Sequence, residues 1–514
     1  MKKLQPLGLL LLLFVLGSCA VKVPQQRTPQ AIDFIILQLN DVYEIAPLEG
    51  GNAGGLARVA SIRKELLKET PNVVTVIAGD FLSPSLTANL KLETGEKIAG
   101  LQMVETLNAM GLDYATFGNH EFDERDSALI QKRFNQCTFR FVSANVRRVY
   151  TGGAIAPFKQ IVKGKTELVP DFINHTFKNS AGDSMKLAFT GVLLPFTKRP
   201  YVHYLPVEEN FRRVVAQAKT QSDVVVALTH LSAADDRALA AAVPGVPLFI
   251  GGHDHDHQDH YVENTIITKA DANAKTVYIH RCRFDPNSKL VRIQSSLKYV
   301  NASIPSDPAT EAVVNKWVSK VDQTLRNNGY QPEQKIATLR EILECKETDI
   351  RSRQTNFGAI TTQAMEYAMP GADVYLINSG SMRLDDNLEG TMTVYDVVRS
   401  FPFGGGFARQ EIPGSELKNL LDNGLKKNKT EGGYLQVSHI TEVNGVWQIN
   451  GKSIDDKQIY KVVISSFVAA GSEANLGFMG KYKADEPKML TTSKGKQIKN
   501  DVRDVVIEYM STAY

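Results

Sequence analysis

Val73-Val74-Thr75-Val76-Ile77-Ala78 is a run of apolar and β-branched residues that closes on Gly79-Asp80. It reads as a β-strand that delivers a carboxylate to the loop behind it. Outward from it, Ile32 to Leu39 is a preceding strand, and Leu56 to Lys68 between the two has the apolar spacing of a helix. Leu101 to Met110 is a second helix, stopped at Gly111. Further strands are read at Tyr114 to Phe117, Phe141 to Ser143, Leu187 to Val192, Asp223 to Leu228 and Val246 to Ile250. Alternation of strands and amphipathic helices makes the first half of the chain α/β.

Five of these strands end beside a residue that can hold a metal. Asp41 follows the first, Asp80 the second and Asn119-His120 the short strand from Tyr114. His230 follows the strand from Asp223, and His253 with His255 the strand ending at Ile250. In open α/β sheets the loops at strand ends converge on a ligand site. Taken singly, an Asp behind a strand is more often a turn or cap residue and a His-x-His a solvated loop. The ordered set carries the inference. Two divalent ions about 3.5 to 4 Å apart call for this mixture of carboxylate, amide and imidazole, with Asp80 as the natural bridge. Such N/O donors accept Mn, Zn, Co, Fe or Mg.

Asn40-Asp41, Gly79-Asp80, Gly118-Asn119-His120-Glu121, Thr229-His230 and Gly251-Gly252-His253-Asp254-His255 resemble the five signature blocks of the calcineurin-like metallophosphoesterases. With Ser143-Ala144-Asn145-Val146 and the second half of the chain, the resemblance narrows to the two-domain 5′-nucleotidase family, which includes UDP-sugar hydrolases. It implies an N-terminal metallophosphoesterase sandwich and a C-terminal α/β substrate-binding domain. It also implies that Asp41, Asp80 and His255 hold one metal, and that Asp80, Asn119, His230 and His253 hold the other. His120 matches the catalytic histidine and Asp123 the carboxylate that orients it. A metal-bound hydroxide would attack phosphorus while His120 stabilises the developing charge. The first block departs from the family's Asp-x-His, because Asp41-Val42-Tyr43 puts a phenol at the imidazole position. A phenol with a pKa of about 10 ligates poorly, so Tyr43 is expected as a hydrogen-bonding neighbour of the site, with weak direct ligation as the alternative.

In the second half, the resemblance assigns Arg353 and Arg383 to phosphate or carboxylate oxygens, Asn378 to a sugar or base, and Phe403 and Phe467 to the two faces of a nucleobase. Glu473 stands where the family's nucleotide binders place an Asp for ribose hydroxyls, with an altered loop behind it. The expected activity is hydrolysis of nucleotide phosphomonoesters. Sugar phosphates, UDP-sugars and 2′,3′-cyclic nucleotides are the alternatives, as is a nucleotide-binding protein whose metal site has decayed.

Lys2-Lys3, the apolar run Leu9 to Leu16 and Gly17-Ser18-Cys19 have the order of an export signal. Leu16-Gly17-Ser18-Cys19 resembles a bacterial lipobox, which implies lipidation of Cys19 and anchoring at the outer membrane's periplasmic face. The expected domains are a signal at 1–18, a tether at 19–30, a catalytic domain at 31–304, a linker helix at 305–335 and a substrate-binding domain at 336–514. With Cys19 lipidated, three cysteines remain and no disulfide framework is expected. The 59 basic residues against 56 acidic ones leave a net charge of +3. That is no footprint for a nucleic-acid polymer.

Overall fold

The computed structural model describes residues 28–195 and 199–513; the signal segment, Cys19 and the tether up to residue 27 lie outside the described residues. The N-terminal half builds two six-stranded sheets. In the first, Ile32–Leu39 (β1), Val73–Ile77 (β2), Tyr114–Ala115 (β3) and Arg140–Phe141 (β4) run parallel. The second takes Phe172–Lys178 (β5), Ser184–Leu193 (β6), Val224–His230 (β7), Leu248–Gly251 (β8), Gln258–Val262 (β9) and Thr265–Lys269 (β10) in the order β9-β10-β8-β7-β6-β5. The antiparallel pair Thr276–Asp285 (β11) and Leu290–Tyr299 (β12) then returns to the first sheet, whose order is β12-β11-β1-β2-β3-β4.

Both faces of β1 are covered, which is why it reads as a nearly unbroken apolar run. Ile32, Phe34 and Ile36 point into the sandwich against Leu187, Phe189, Val226 and Leu228 of the second sheet. Ile35, Leu37 and Leu39 pack instead with Leu56–Glu69 (α1) and Leu101–Met110 (α2). The outer face of the second sheet is closed by Val207–Lys219 (α3) and Ala233–Ala242 (α4), through Phe211, Val214 and Leu239. The strand expected from Tyr114 to Phe117 pairs only over Tyr114–Ala115, because the chain leaves the ladder there for the loop that carries Asn119 and His120.

Pro308–Asn327 (α5) starts at Asp307, whose carboxylate accepts the Thr310 amide at 3.0 Å. Its first turns place Val314 and Trp317 in the core of the N-terminal domain, and its last turns place Val321 and Leu325 in that of the C-terminal domain. One amphipathic helix is therefore shared by two cores. The second domain is centred on Val374–Asn378 (β13), Phe407–Pro413 (β14), Leu435–Ser438 (β15) and Ile459–Ser465 (β16), in the order β14-β16-β13-β15. Asn356–Ala368 (α6) and Val502–Ala513 (α8) cover one face and Gly414–Asp422 (α7) the other. Cys137, Cys282 and Cys345 are free and lie in three different cores.

Candidate metal centre and interdomain cleft

Asp41, Asp80 and His230, from the C-terminal ends of β1, β2 and β7, are buried and offer ligand atoms within 4.8 Å of one another. Asp80 Oδ2 lies 3.1 Å from His230 Nε2 and 3.2 Å from the Tyr43 hydroxyl, while Asp41 Oδ1 lies 3.5 Å from His255 Nε2. Asp80 thus faces both groups of donors. The His253 ring stands 5.4 Å from the His230 ring, centroid to centroid.

The donor set fits divalent cations. His230 Nδ1 donates to the Ala78 carbonyl at 2.7 Å, which leaves the lone pair on Nε2 aimed at the centre. That Nε2 and Asn119 Oδ1 are buried without a hydrogen-bond partner. Asn119 Oδ1 left so costs about 1–3 kcal/mol, and a cation would take both atoms as ligands. Burial disfavours a charged imidazole, yet Asp80 and Asp41 raise His230 to about 9, and Asp385 with Asp41 raises His255 to about 10. The Asp80 carboxyl, despite burial, is held far below its ordinary range by His230 and His120. The centre is a buried negative potential of the kind that attracts positive charge. His253, by contrast, is pushed well below its ordinary value by burial and by His230, and keeps a neutral ring able to ligate.

The backbone is strained to make this arrangement. Asp41 (φ 51°), Asp80 (φ 55°), His253 (φ 86°) and His255 (φ 64°) all adopt left-handed conformations, at about 1–3 kcal/mol apiece. Glu121 holds part of the strain: its buried carboxylate accepts the amides of Asp80 at 2.8 Å, Phe81 at 2.7 Å and Gly118 at 2.5 Å. The loops pass so closely that a Cβ on Gly252 would meet the Ala78 carbonyl at 2.5 Å.

Tyr43 sits among the donors. Its hydroxyl is 2.9 Å from His255 Nε2 and 3.5 Å from Asp41 Oδ1. Burial, then Asp80 and Asp41, push the phenol well above its ordinary pKa, so its proton is held. His120 lies beside the centre, with Nδ1 2.7 Å from Asp123 Oδ2, an oxygen that also accepts the Ser83 hydroxyl at 3.1 Å.

The C-terminal domain reaches this centre through the loop after β13. Arg383 Nη2 lies 3.0 Å from His120 Nε2, and two residues on, Asp385 Oδ1 lies 2.7 Å from His255 Nδ1. Glu347 gathers two guanidinium groups, Arg383 at 2.9 Å and Arg351 at 2.5 Å. The Nε atoms of both arginines are buried without a partner. Arg353, expected here, is outside: it is exposed and held by Glu344 at 2.8 Å and Asp349 at 2.9 Å. Asn378 donates to Glu473 at 2.8 Å and accepts the hydroxyls of Ser381 and Ser465, both at 2.9 Å. Phe403 and Phe467 are each 51% exposed, the two phenylalanines so open among the described residues.

The model of the calcineurin-like phosphoesterases matches residues 34–257, and that of the 5′-nucleotidase C-terminal domain matches residues 335–478. The chain belongs to the two-domain 5′-nucleotidase family of calcineurin-like phosphoesterases. It is similar to a 5′-nucleotidase of Bos taurus, 24% identical over 480 residues that cover 82% of this chain and 78% of the relative. Protein UshA of Salmonella pullorum is 25% identical over 480 residues, covering 83% and 82%. A 5′-nucleotidase precursor from Thermus thermophilus shares the fold, with a TM-score of 0.73 and 19% identity over 94% of this chain and 96% of that one.

As a 5′-nucleotidase-type phosphoesterase the chain is a hydrolase, and four of its cleft residues escape a reading of the sequence. Arg351 and Arg353 flank one serine, and only the turn behind Glu347–Ile350 decides which faces the cleft. Glu347 and Asp385 have no motif of their own. Glu121 stands inside a quoted block, but its role in tying two loops together appears only with the loops in place.

Proposed function

We propose that the protein is an exported dinuclear-metal phosphomonoesterase acting on nucleoside 5′-phosphates. The observation that carries this reading is the pair of buried ligand atoms that make no hydrogen bond, His230 Nε2 beside Asp80 and the Asn119 side-chain oxygen, together with an arginine pair supplied by the other domain. One ion would be held by Asp41, Asp80 and His255 with Tyr43 adjoining, the other by Asp80, Asn119, His230 and His253. When bound, such ions supply Lewis acidity toward phosphoryl oxygens and acidify water.

The chain's own residues do the rest. Arg351 and Arg383 fix phosphate oxygens by charge-assisted hydrogen bonds. Asp123 holds the His120 ring with Nε2 toward the cleft, where it stabilises the phosphoryl group or protonates the leaving oxygen as its bond to phosphorus breaks and one from water forms. Phe403 and Phe467 offer ring faces to a base. Glu473, half-buried and bonded to Asn378, offers one carboxylate to hydroxyls; because it is longer than aspartate, a nucleotide sugar or sugar phosphate is the second reading. The apolar leader and Cys19 support export and lipid anchoring.

The test measures phosphate released from AMP, UDP-glucose, 2′,3′-cyclic AMP and glucose 1-phosphate by Mn²⁺-loaded protein. AMP is expected to be the best substrate, and His120→Ala to lose about 10²–10⁴-fold in kcat. Equal rates in wild type and His120→Ala would remove the reading.

A further inference from the structure

We propose that Asp385, on the C-terminal domain, is a positioning residue for the metal site that contains His255, so that metal binding and closure of the two domains are thermodynamically coupled. The inference rests on the metal reading above. His230 finds the acceptor for its Nδ1 within its own domain, at the Ala78 carbonyl. His255 finds its acceptor across the interface, at Asp385 Oδ1, 2.7 Å away. The carboxylate is nearly buried there, 9% exposed, and the imidazole 13%.

Asp385 is gripped by the N-terminal domain on its other atoms too. Oδ2 accepts the Asn273 side-chain amide at 3.0 Å, and its backbone carbonyl accepts Lys275 Nζ. Asn273, held at φ 58°, also ties down the loop that carries Asp41 and Tyr43. Its Oδ1 accepts the amides of Tyr43 at 2.9 Å and Glu44 at 3.0 Å, and its own backbone amide donates to the Asp41 carbonyl at 2.8 Å. A single contact between domains therefore reaches two of the residues at this metal position directly or through one asparagine.

An acceptor on the far nitrogen of a metal-binding imidazole fixes its tautomer and raises its basicity, and losing that acceptor typically costs about 10–100-fold in metal affinity. Since Tyr43 stands at the imidazole position here, His255 is, among the described residues, the only nitrogen donor that the metal reading gives this ion. Separation of the domains removes Asp385 and loosens the ion; by linkage, the ion favours closure by the same factor.

Mn²⁺ alone is titrated into the full chain against a competing chelator, and the radius of gyration is followed by small-angle scattering. The expected result is two ions in wild type with a fall in radius on loading. Asp385→Asn should bind one ion about 10–100-fold more weakly, keep the other affinity within a few fold, and lose the fall in radius. Should Asp385→Asn fail to fold, Asp385→Ser and the wild-type scattering decide in the same way. Wild-type affinities retained in the variant, or a wild-type radius that ignores Mn²⁺, overturn the coupling alone. A wild type that takes up no Mn²⁺ overturns the metal reading with it.

Discussion

Glu347 holds two guanidinium groups at once, and the carboxylate that orients them also keeps their unpaired Nε donors in the cleft. Burial makes an unpaired cation costly, so Glu347 keeps the pair stable, and under the proposed function it does so until a phosphate arrives. Arg353, a residue of the same type two positions away, is already neutralised by Glu344 and Asp349 at the surface. The two arginines separate experimentally. Arg351→Met should lower kcat/KM for the phosphorylated substrate by about 10–100-fold, the loss of a charged hydrogen bond worth about 1.5–3 kcal/mol. Arg353→Met should stay within about twofold, as exposed ion pairs contribute about 0–1 kcal/mol. Steady-state kinetics of both variants decide it, and the reverse ranking would reject the assignment. At this scale the sequence reads Asp41, Asp80, Asn119, His120, His230, His253 and His255 as a set because each follows a strand or adjoins one that does, and the family resemblance adds Asp123. It singles out Arg353, which the structure puts at the surface, and passes over Arg351, because two alternating positions in a turn differ only in where they face.

Among the elements, β1, β10 and β11 share a buried polar bridge that joins the two sheets. Gln38 donates to the Thr268 carbonyl at 2.9 Å, and its Oε1 accepts the Thr268 hydroxyl at 2.6 Å and lies 2.9 Å from His280 Nε2. His280 Nδ1 is satisfied by the Ser295 hydroxyl at 2.8 Å. Burial depresses His280 to about 3. Its folded value thus lies below the ordinary imidazole value of about 6.5. Between those two values the unfolded chain takes up a proton that the folded chain refuses, so stability is intact above pH 6.5 and falls as pH drops toward 3. The slope approaches about 1.4 kcal/mol per pH unit. Calorimetry from about pH 7 to about pH 4.5, inside that window, should show a falling Tm, with a shallower slope in His280→Gln; parallel slopes would exclude His280 as the cause. The strands in this bridge are legible as apolar runs, but their junction is not, since no local pattern pairs Gln38 with a residue 230 positions later.

For the molecule as a whole, the docked position of the C-terminal domain sets Arg383 against His120 and Asp385 against His255, which leaves the arginine proposed for phosphate on the imidazole proposed for catalysis. Under the proposed function, substrate entry and product release are expected to require the domains to part. A cysteine pair engineered across this contact should reduce turnover at least about tenfold when oxidised and restore it when reduced; equal turnover in both states would show that the domains need not move. The sequence by itself determined the fold class, the order of the metal-capable residues and the family, because strand runs and the glycine-bounded blocks at their ends are local patterns. Only the tertiary structure decided the left-handed backbone at four of the metal-capable residues, the pairing of Arg351 with Glu347 while Arg353 stays at the surface, the placing of the Tyr43 phenol among the donors, and the reach of Asp385 across the interface. Each of these depends on which distant atoms share one small volume, and the order of residues along the chain does not carry that information.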